Sequence, residues 1–523
     1  MLRRELLLAG AALAALPGLP TRAASRDALV YSFARNVGPL HPHGYAPNQM
    51  FAQAMVYEPL VRYVEGGRIE PWLATGWTVS TDGRTWDFTL RQGVTFTDGT
   101  PFDAQAVKAN LDALVADRAQ HGWLELIAQI QAVEAVAPDR VRIRLNDPYY
   151  PVLFELALIR PVRFLSPAVL AKGEAGFAPV GTGPWRLVET APGEHDRFVR
   201  NETYWGSRPA FAELLVKVVP DPNTRALALE TGEIDLVFGS DQLSAMAYQR
   251  FAADPRFACK VSPPLASRNL ALNSGRSPTD DLRVRRAILH GVNRRSLVQN
   301  VLLDLEQPAE TLFARNFPYT DVPLEPFAFD RELAQALLEE AGWRRPEEGA
   351  MRARDGQPLE LDLCFVGSDS VQKALAEAVQ AELRTLGVEV RLVGMDESGM
   401  TARQRSGEFG MIFGDTWGAP YDPHSFMSGM RVPTHADFQA QSGLPMKEEI
   451  DRRISAVLVE TDEEARRAAY AWLLTTLHEQ AVYLPISYTT SSYVAGPGLQ
   501  DVGFGPTVNE IPFETFRPAS ASL

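Results

Sequence analysis

Leu359-Glu360-Leu361-Asp362-Leu363-Cys364-Phe365 alternates apolar side chains with mostly polar ones, the period of a strand that buries one face. Ser368-Asp369-Ser370 follows, three residue types that cap helices, ahead of a helical pattern from Val371 to Leu386. Val388, Val390 and Leu392 then open another strand. Strand, capped helix and strand make a βαβ unit, so this part of the chain reads as an α/β lobe.

C-terminal to that unit, Met411 to Phe413 is an apolar run that reads as a buried strand. Beyond it, Trp417 to Asp437 shows neither helical nor strand periodicity and is punctuated by Gly418, Pro420, Pro423 and Pro433. It still carries Trp417, Tyr421, His424, Phe426 and His435. Such a loop either packs its rings into core or lines a ligand site, and its place beyond the end of a strand is where α/β sheets put ligands. The pattern then predicts helix from Ile450 to Leu477 and a final extended segment from Tyr483-Leu484-Pro485-Ile486. On the N-terminal side of the βαβ unit, Leu270-Ala271-Leu272-Asn273 reads as a strand, with helices over Leu282–Val292 and Ala334–Ala341.

The first half of the chain is richer in strands. Val30 to Phe33 alternates before a loop, Asn36 to Asn48, heavy in Pro, Gly and His, and Met50 to Leu60 has helical spacing that ends at Pro59. Trp77 to Leu90 reads as two strands joined at Asp82-Gly83, and Asp103 to Val115 as a helix. Val141, Ile143 and Leu145 mark another strand, and a short helix from Val152 to Leu158 stops at Leu158-Ile159-Arg160-Pro161. An arginine there is either solvated or held inward by its apolar neighbours. Gly181-Thr182-Gly183-Pro184-Trp185 lacks the third glycine of a dinucleotide fingerprint.

With 523 residues the chain exceeds what one core serves, so two to four units are expected at roughly 150 residues each. A formal charge of −14 and the lack of a basic run after the N-terminus exclude nucleic acid as a partner. Arg3-Arg4, an apolar run from Leu6 through Leu19 and the small residues of Thr21-Arg22-Ala23-Ala24 form an export signal, residues 1–24. The two arginines fit either the general secretory or the twin-arginine route to the periplasm. Cys259 and Cys364 are far apart and read as buried small side chains rather than a disulfide framework. No G-x-S-x-G elbow, phosphate-binding loop or C-x-x-C occurs, and His478-Glu479 has Val482 where a zincin would place its second histidine. An exported hydrolase is the rival to a non-enzymatic binding protein.

Tyr57-Glu58-Pro59-Leu60, Trp86 to Arg91 with Asp98-Gly99-Thr100-Pro101-Phe102, Gly181 to Trp185 and Asn201-Glu202-Thr203-Tyr204-Trp205-Gly206 resemble the family 5 extracellular solute-binding proteins. Asn36-Val37-Gly38-Pro39-Leu40, Pro47 to Gln53, Thr416 to Tyr421 and Met430 to Asp437 resemble its nickel-binding group. The resemblance implies an α/β fold, a two-lobed periplasmic clamshell with an enlarged N-terminal lobe. Residues 25–268 and 487–523 then build lobe I, and 269–486 lobe II. It implies a monomer that takes nickel as a chelate with a small metallophore, histidine or a polycarboxylate, and passes it to the inner-membrane permease of an ABC importer. His435 corresponds to the metal-ligating histidine, Arg160 to the arginine that grips a chelator carboxylate, and Met50, Trp123, Trp417 and Tyr421 to cavity-lining residues. One imidazole cannot fill the coordination sphere of Ni²⁺, so the remaining donors must come with the metal.

Two positions depart from that pattern. Gln120 stands where the nickel-binding group has a second arginine, and Thr401 where it has a tyrosine; Arg118 is a candidate to replace the missing charge. His41-Pro42-His43 puts two imidazoles on one side if extended, either a metal site or an ordinary loop, while His424 between Pro423 and Phe426 reads as structural. A peptide binder would need a carboxylate for the peptide amine, from Asp415 or Asp422, and an aromatic cleft with an arginine and a histidine would also suit haem.

Overall fold

The chain is described by a computed structural model over residues 27–45, 49–173, 177–240, 242–347 and 349–519, so the expected export signal lies outside the described residues. The βαβ unit forms as its pattern dictates. Glu360–Val366 and Glu389–Met395 pair in parallel, Glu360 opposite Glu389 and Val366 opposite Met395, joined by the helix Ser370–Thr385. Asp369 is the cap: its carboxylate accepts from the Val371 and Gln372 amides at 2.9 and 3.0 Å, worth about 1 kcal/mol. Leu375, Ala376, Val379 and Leu383 turn inward at helical spacing, and Gly387 ends the helix at a φ of 78°, where a side chain would be strained.

These strands belong to a six-stranded sheet in the order Gln307–Pro308, Tyr483–Thr489, Ala266–Leu272, Met411–Asp415, Glu360–Val366, Glu389–Met395. A seven-stranded sheet runs Ala258–Val261, Ser492–Ala495, Leu236–Phe238, Ala28–Phe33, Glu213–Val218, His195–Arg200, Trp185–Ala191. The N-terminal part adds a four-stranded antiparallel sheet, Ala74–Val79, Thr85–Leu90, Arg140–Leu145 and Ile130–Ala137, whose Phe88, Leu90, Val141 and Ile143 enter the core. This is a mixed α/β architecture of two lobes.

The chain passes between the two large sheets twice, after Val261 and again after Thr489. The two passages are bonded to each other: the Ser262 amide donates to the Ser491 carbonyl and the Ser491 amide to the Ser262 hydroxyl, both at 2.9 Å. Asn269 and Ile486, the bounds expected for lobe II, both fall inside strands of the six-stranded sheet. The strand Ala266–Leu272 starts with Ala-Ser-Arg, which carries no apolar alternation to reveal it.

Three other expectations shift. The region 450–477 is two helices, Lys447–Val459 and Glu463–Glu479, the second capped by Asp462 accepting from the Ala465 amide at 2.8 Å. The helix expected to run from Met50 to Leu60 spans Met50–Val56. The loop over 417–437 holds two short helices, His424–Gly429 and Ala436–Gln441. Each has six residues, too few turns for periodicity to show.

Candidate metal-chelate site

The loop that follows Met411–Asp415 is fixed by its own backbone. Fully buried Asp422 accepts from the Trp417 and Gly418 amides at 3.2 and 3.0 Å. Burial pushes its carboxyl up to about 7 against the pull of those amides and of the Thr416 hydroxyl. Thr416 is stitched to the passage segment, its hydroxyl accepting from the Ser267 amide at 2.9 Å and its amide donating to the Ser267 carbonyl at 2.8 Å. Gly418 has a φ of 75° and lies so close to Leu265 that a Cβ would meet its carbonyl oxygen at 2.5 Å, so glycine is required there.

The loop so held presents a row of rings. Trp417 lies 6.0 Å from His435 and 6.3 Å from Tyr421, centroid to centroid, and Tyr421 lies 6.2 Å from Trp123. The Trp123 indole donates to the Tyr45 hydroxyl at 2.8 Å, and that hydroxyl also meets His121 Nδ1 at 2.7 Å. Arg160 closes the row: its Cζ is 5.4 Å from the Tyr45 ring centre and its Nη1 donates to the Tyr45 carbonyl at 2.7 Å. Burial lowers the Arg160 pKa, opposed by Tyr421 and Tyr45, and no carboxylate pairs with it among the described residues. Five of the six expected site residues, Arg160, Trp123, Tyr421, Trp417 and His435, are thus brought into one continuous row. Met50 opens its helix half-buried, without a polar contact to the other five.

His435 stands just ahead of the helix Ala436–Gln441, its amide donating to the Val432 carbonyl at 2.9 Å. Its ring edge passes 3.3 Å from where a Cβ on Gly429 would sit, so a side chain at 429 would crowd the imidazole. A cavity of about 370 Å³ opens beside it, lined among others by Thr401, Arg405, Asp415, Trp417 and Asp437. Burial raises the Asp437 carboxyl, and Asp437 accepts from the Tyr483 hydroxyl at 3.0 Å. A larger cavity of about 460 Å³ lies elsewhere, beside Glu58, Arg163, Glu510 and Glu514. It holds no histidine, and Glu58 there already accepts from Trp72, Thr182, Tyr204 and Trp205, each at 2.8 Å. Donor chemistry therefore favours the smaller cavity for a transition metal.

The remaining candidates separate cleanly. His43 Nε2 contacts the Arg163 carbonyl at 3.2 Å, and burial, then the neighbouring His41, pushes its pKa down to about 3. His41 stacks on Phe177 with centroids 4.8 Å apart, so the pair serves the loop. His424 is 2% exposed and pushed down to about 3 by burial. The Glu155 oxygen 4.0 Å away belongs to a carboxyl that burial pushes up to about 8, so the two meet as neutral groups rather than as an ion pair. Asp422 is engaged by the loop, so of the two candidates for a peptide amine Asp415 is the one on the cavity wall. Among the described residues no group of three or more His, Cys, Asp or Glu is arranged to hold a metal ion by itself.

Of the two departures, Thr401 lines the cavity, and Gln120 sits exposed in a turn, its amide donating to the Asp117 carbonyl at 3.0 Å. Arg118 is not a substitute cation: Nε donates to the Ile127 carbonyl at 3.2 Å and Nη2 to that of Ile130. Tyr45 escaped the sequence reading although it joins Trp123 to Arg160. Its one local sign was a large ring in a Pro, Gly and His loop.

The family model for bacterial extracellular solute-binding proteins, family 5 Middle, matches residues 68–438. The chain belongs to that family. The nickel-binding periplasmic protein of Escherichia coli K12 is 48% identical over 99% of both chains. The glutathione-binding protein GsiB of Salmonella paratyphi A is 28% identical over 91% of this chain and 90% of its own. Among solved structures, NikA from Brucella suis in complex with Fe(III)-EDTA superposes with a TM-score of 0.91 at 51% identity, covering 94% of this chain and all of the other. A family 5 fold is thereby established along nearly the whole chain.

Proposed function

We propose that the protein captures nickel in the periplasm as a chelate with a small carboxylate-bearing metallophore and hands it to the membrane permease of an ABC importer. The observation that carries this reading is one imidazole, His435, on a polar cavity, joined by a row of rings to a guanidinium, Arg160, that no carboxylate pairs among the described residues. Imidazole suits Ni²⁺, and a chelator must supply the other donors. Arg160 can then grip a chelator carboxylate while Trp123, Trp417, Tyr421 and Met50 cover its apolar parts. The relatives point the same way: a nickel-binding protein at 48% identity and a neighbour in complex with an iron chelate. Closure would swing the lobes about the paired passages at Ser262 and Ser491.

Calorimetry with preformed nickel–bis(L-histidine) and nickel–citrate, set against a dipeptide panel, tests the reading. Saturable binding of at least one chelate and none of the peptides is expected; peptide binding with no chelate binding would overturn it. Peptide capture is the second reading, favoured by Asp415 on the cavity wall and by the glutathione-binding relative.

A further inference from the structure

The cavity beside His435 has one Lys or Arg in its lining, Arg405, in the last turn of the helix Glu397–Ser406. Thr401 and Gln404 line the same cavity, so the face of this helix that carries Arg405 borders the space that His435 borders. The helix end is tied to the histidine turn by Gln439, whose side-chain amide donates both to the Arg405 carbonyl at 3.3 Å and to the Pro433 carbonyl at 2.8 Å. Position 405 is therefore registered against position 435 by a shared partner.

Arg405 is exposed, so solvation is its ordinary role, whereas Arg403 in the same turn is half-buried and engaged. Arg403 donates to the Glu408 carbonyl at 2.7 Å and reaches its carboxylate at 3.4 Å. The guanidinium of Arg405 has no such bond or ion pair among the described residues. The two acids on the cavity wall have partners of their own: Asp437 the Tyr483 hydroxyl at 3.0 Å, Asp415 the Arg268 Nε at 3.8 Å. Arg405 thus stands exposed and without a protein partner among the described residues, in the lining of the cavity that His435 also lines. The pattern resembled here has a second arginine at position 120, and this chain does not.

We propose that Arg405 is the second carboxylate-binding cation of the site, gripping the chelate from the His435 side while Arg160 grips it from the other lobe. This rests on the nickel-chelate reading above. It shifts the preference of the chain: the charge lost at Gln120 is restored at another place, so a polycarboxylate chelate remains acceptable if its third carboxylate points toward the helix Glu397–Ser406. Thr401, with a small side chain in the same lining, leaves room for it.

Calorimetric titration of the full chain with nickel–citrate and nickel–bis(L-histidine), at low and physiological salt, tests the assignment. Arg405→Ala should weaken nickel–citrate about tenfold, or about 1.4 kcal/mol, with a smaller loss for the histidine chelate. Arg405→Glu should weaken citrate further, Arg405→Lys should recover part of the loss, and the salt dependence of citrate binding should diminish in Arg405→Ala. Arg403→Ala should stay within twofold of the parent. Affinities within twofold of the parent in both Arg405→Ala and Arg405→Glu, with His435→Ala inactive, would overturn the role of Arg405 and leave the nickel reading standing. A parent protein that binds neither chelate would overturn both.

Discussion

Arg163 and His424 are buried, Arg160 and His435 stand at the site, and the two pairs put the same side chains to opposite use. Arg163 is buried and gives Nε to the Leu158 carbonyl at 2.8 Å, Nη1 to that of Tyr57 at 2.8 Å and Nη2 to that of Ala157 at 3.3 Å. Arg160 gives one nitrogen to Tyr45. His424 packs against Tyr150 and Phe154, and its Nε2 has no hydrogen-bond partner. His435 opens on the cavity. A polar side chain enclosed in the core, bonded to carbonyls like Arg163 or packed among rings like His424, serves the fold, whereas one that borders the site is available to a ligand.

Four substitutions test this contrast, taken from the largest effect downward. His435→Ala should abolish retention of the nickel–histidine chelate in calorimetry with the melting temperature unchanged. His424→Ala should do the reverse, destabilising by about 2 kcal/mol in denaturant titration with chelate affinity within twofold. Should both variants lose affinity alike, the two histidines do not divide the work.

The arginines come next. Arg163→Ala strands three buried carbonyls and should cost about 3 kcal/mol of stability. Arg160→Lys keeps the charge, loses the planar fork, and should lower chelate affinity about tenfold without a shift in melting temperature. Equal affinities of parent and Arg160→Lys for both chelates would remove Arg160 from the site.

Gln120→Arg should add a charge beside Trp123 and improve citrate binding about tenfold relative to the histidine chelate, the gain of about one charge-assisted bond. No change in that ratio would mean that the exposed turn at position 120 does not face the ligand.

The smallest effect is a pH dependence. Burial raises Glu155 from an ordinary 4.5 to about 8, so its stabilising contribution is complete below pH 4.5 and is lost as pH rises to about 8. His424, lowered from 6.5 to about 3, contributes fully above 6.5 and loses its contribution only as pH falls. Between pH 6.5 and 8 the histidine therefore adds no slope, and the melting temperature should decline with pH through Glu155 and through Asp422, which is raised to about 7. Glu155→Gln should make that decline shallower, and an unchanged profile would show that Glu155 is already ionised in the fold.

The parts of this arrangement that could be read in the sequence are those encoded by local chemistry. The strand, the Asp369 cap and the inward stripe Leu375, Ala376, Val379 and Leu383 form a pattern within one element, and the structure keeps it. The buried fate of His424 was legible from its proline and phenylalanine neighbours. What was not legible depends on contacts distant in sequence. Tyr45 matters because it reaches Trp123 and Arg160, and nothing adjacent to it says so. The engagement of Arg118 with the Ile127 and Ile130 carbonyls, and the free face of Arg405, likewise emerge only when the helices are set side by side. The passages between sheets leave no local mark, because Ala266-Ser267-Arg268 pairs in a strand without an apolar period.

The most direct measurement is the composition of protein purified from a nickel-containing medium, by metal quantification together with mass spectrometry of the released small molecule. One nickel per chain, accompanied by a carboxylate-bearing chelator and absent from His435→Ala protein prepared in parallel, is the expected result. A peptide without metal, or equal nickel in the parent and His435→Ala proteins, would contradict it.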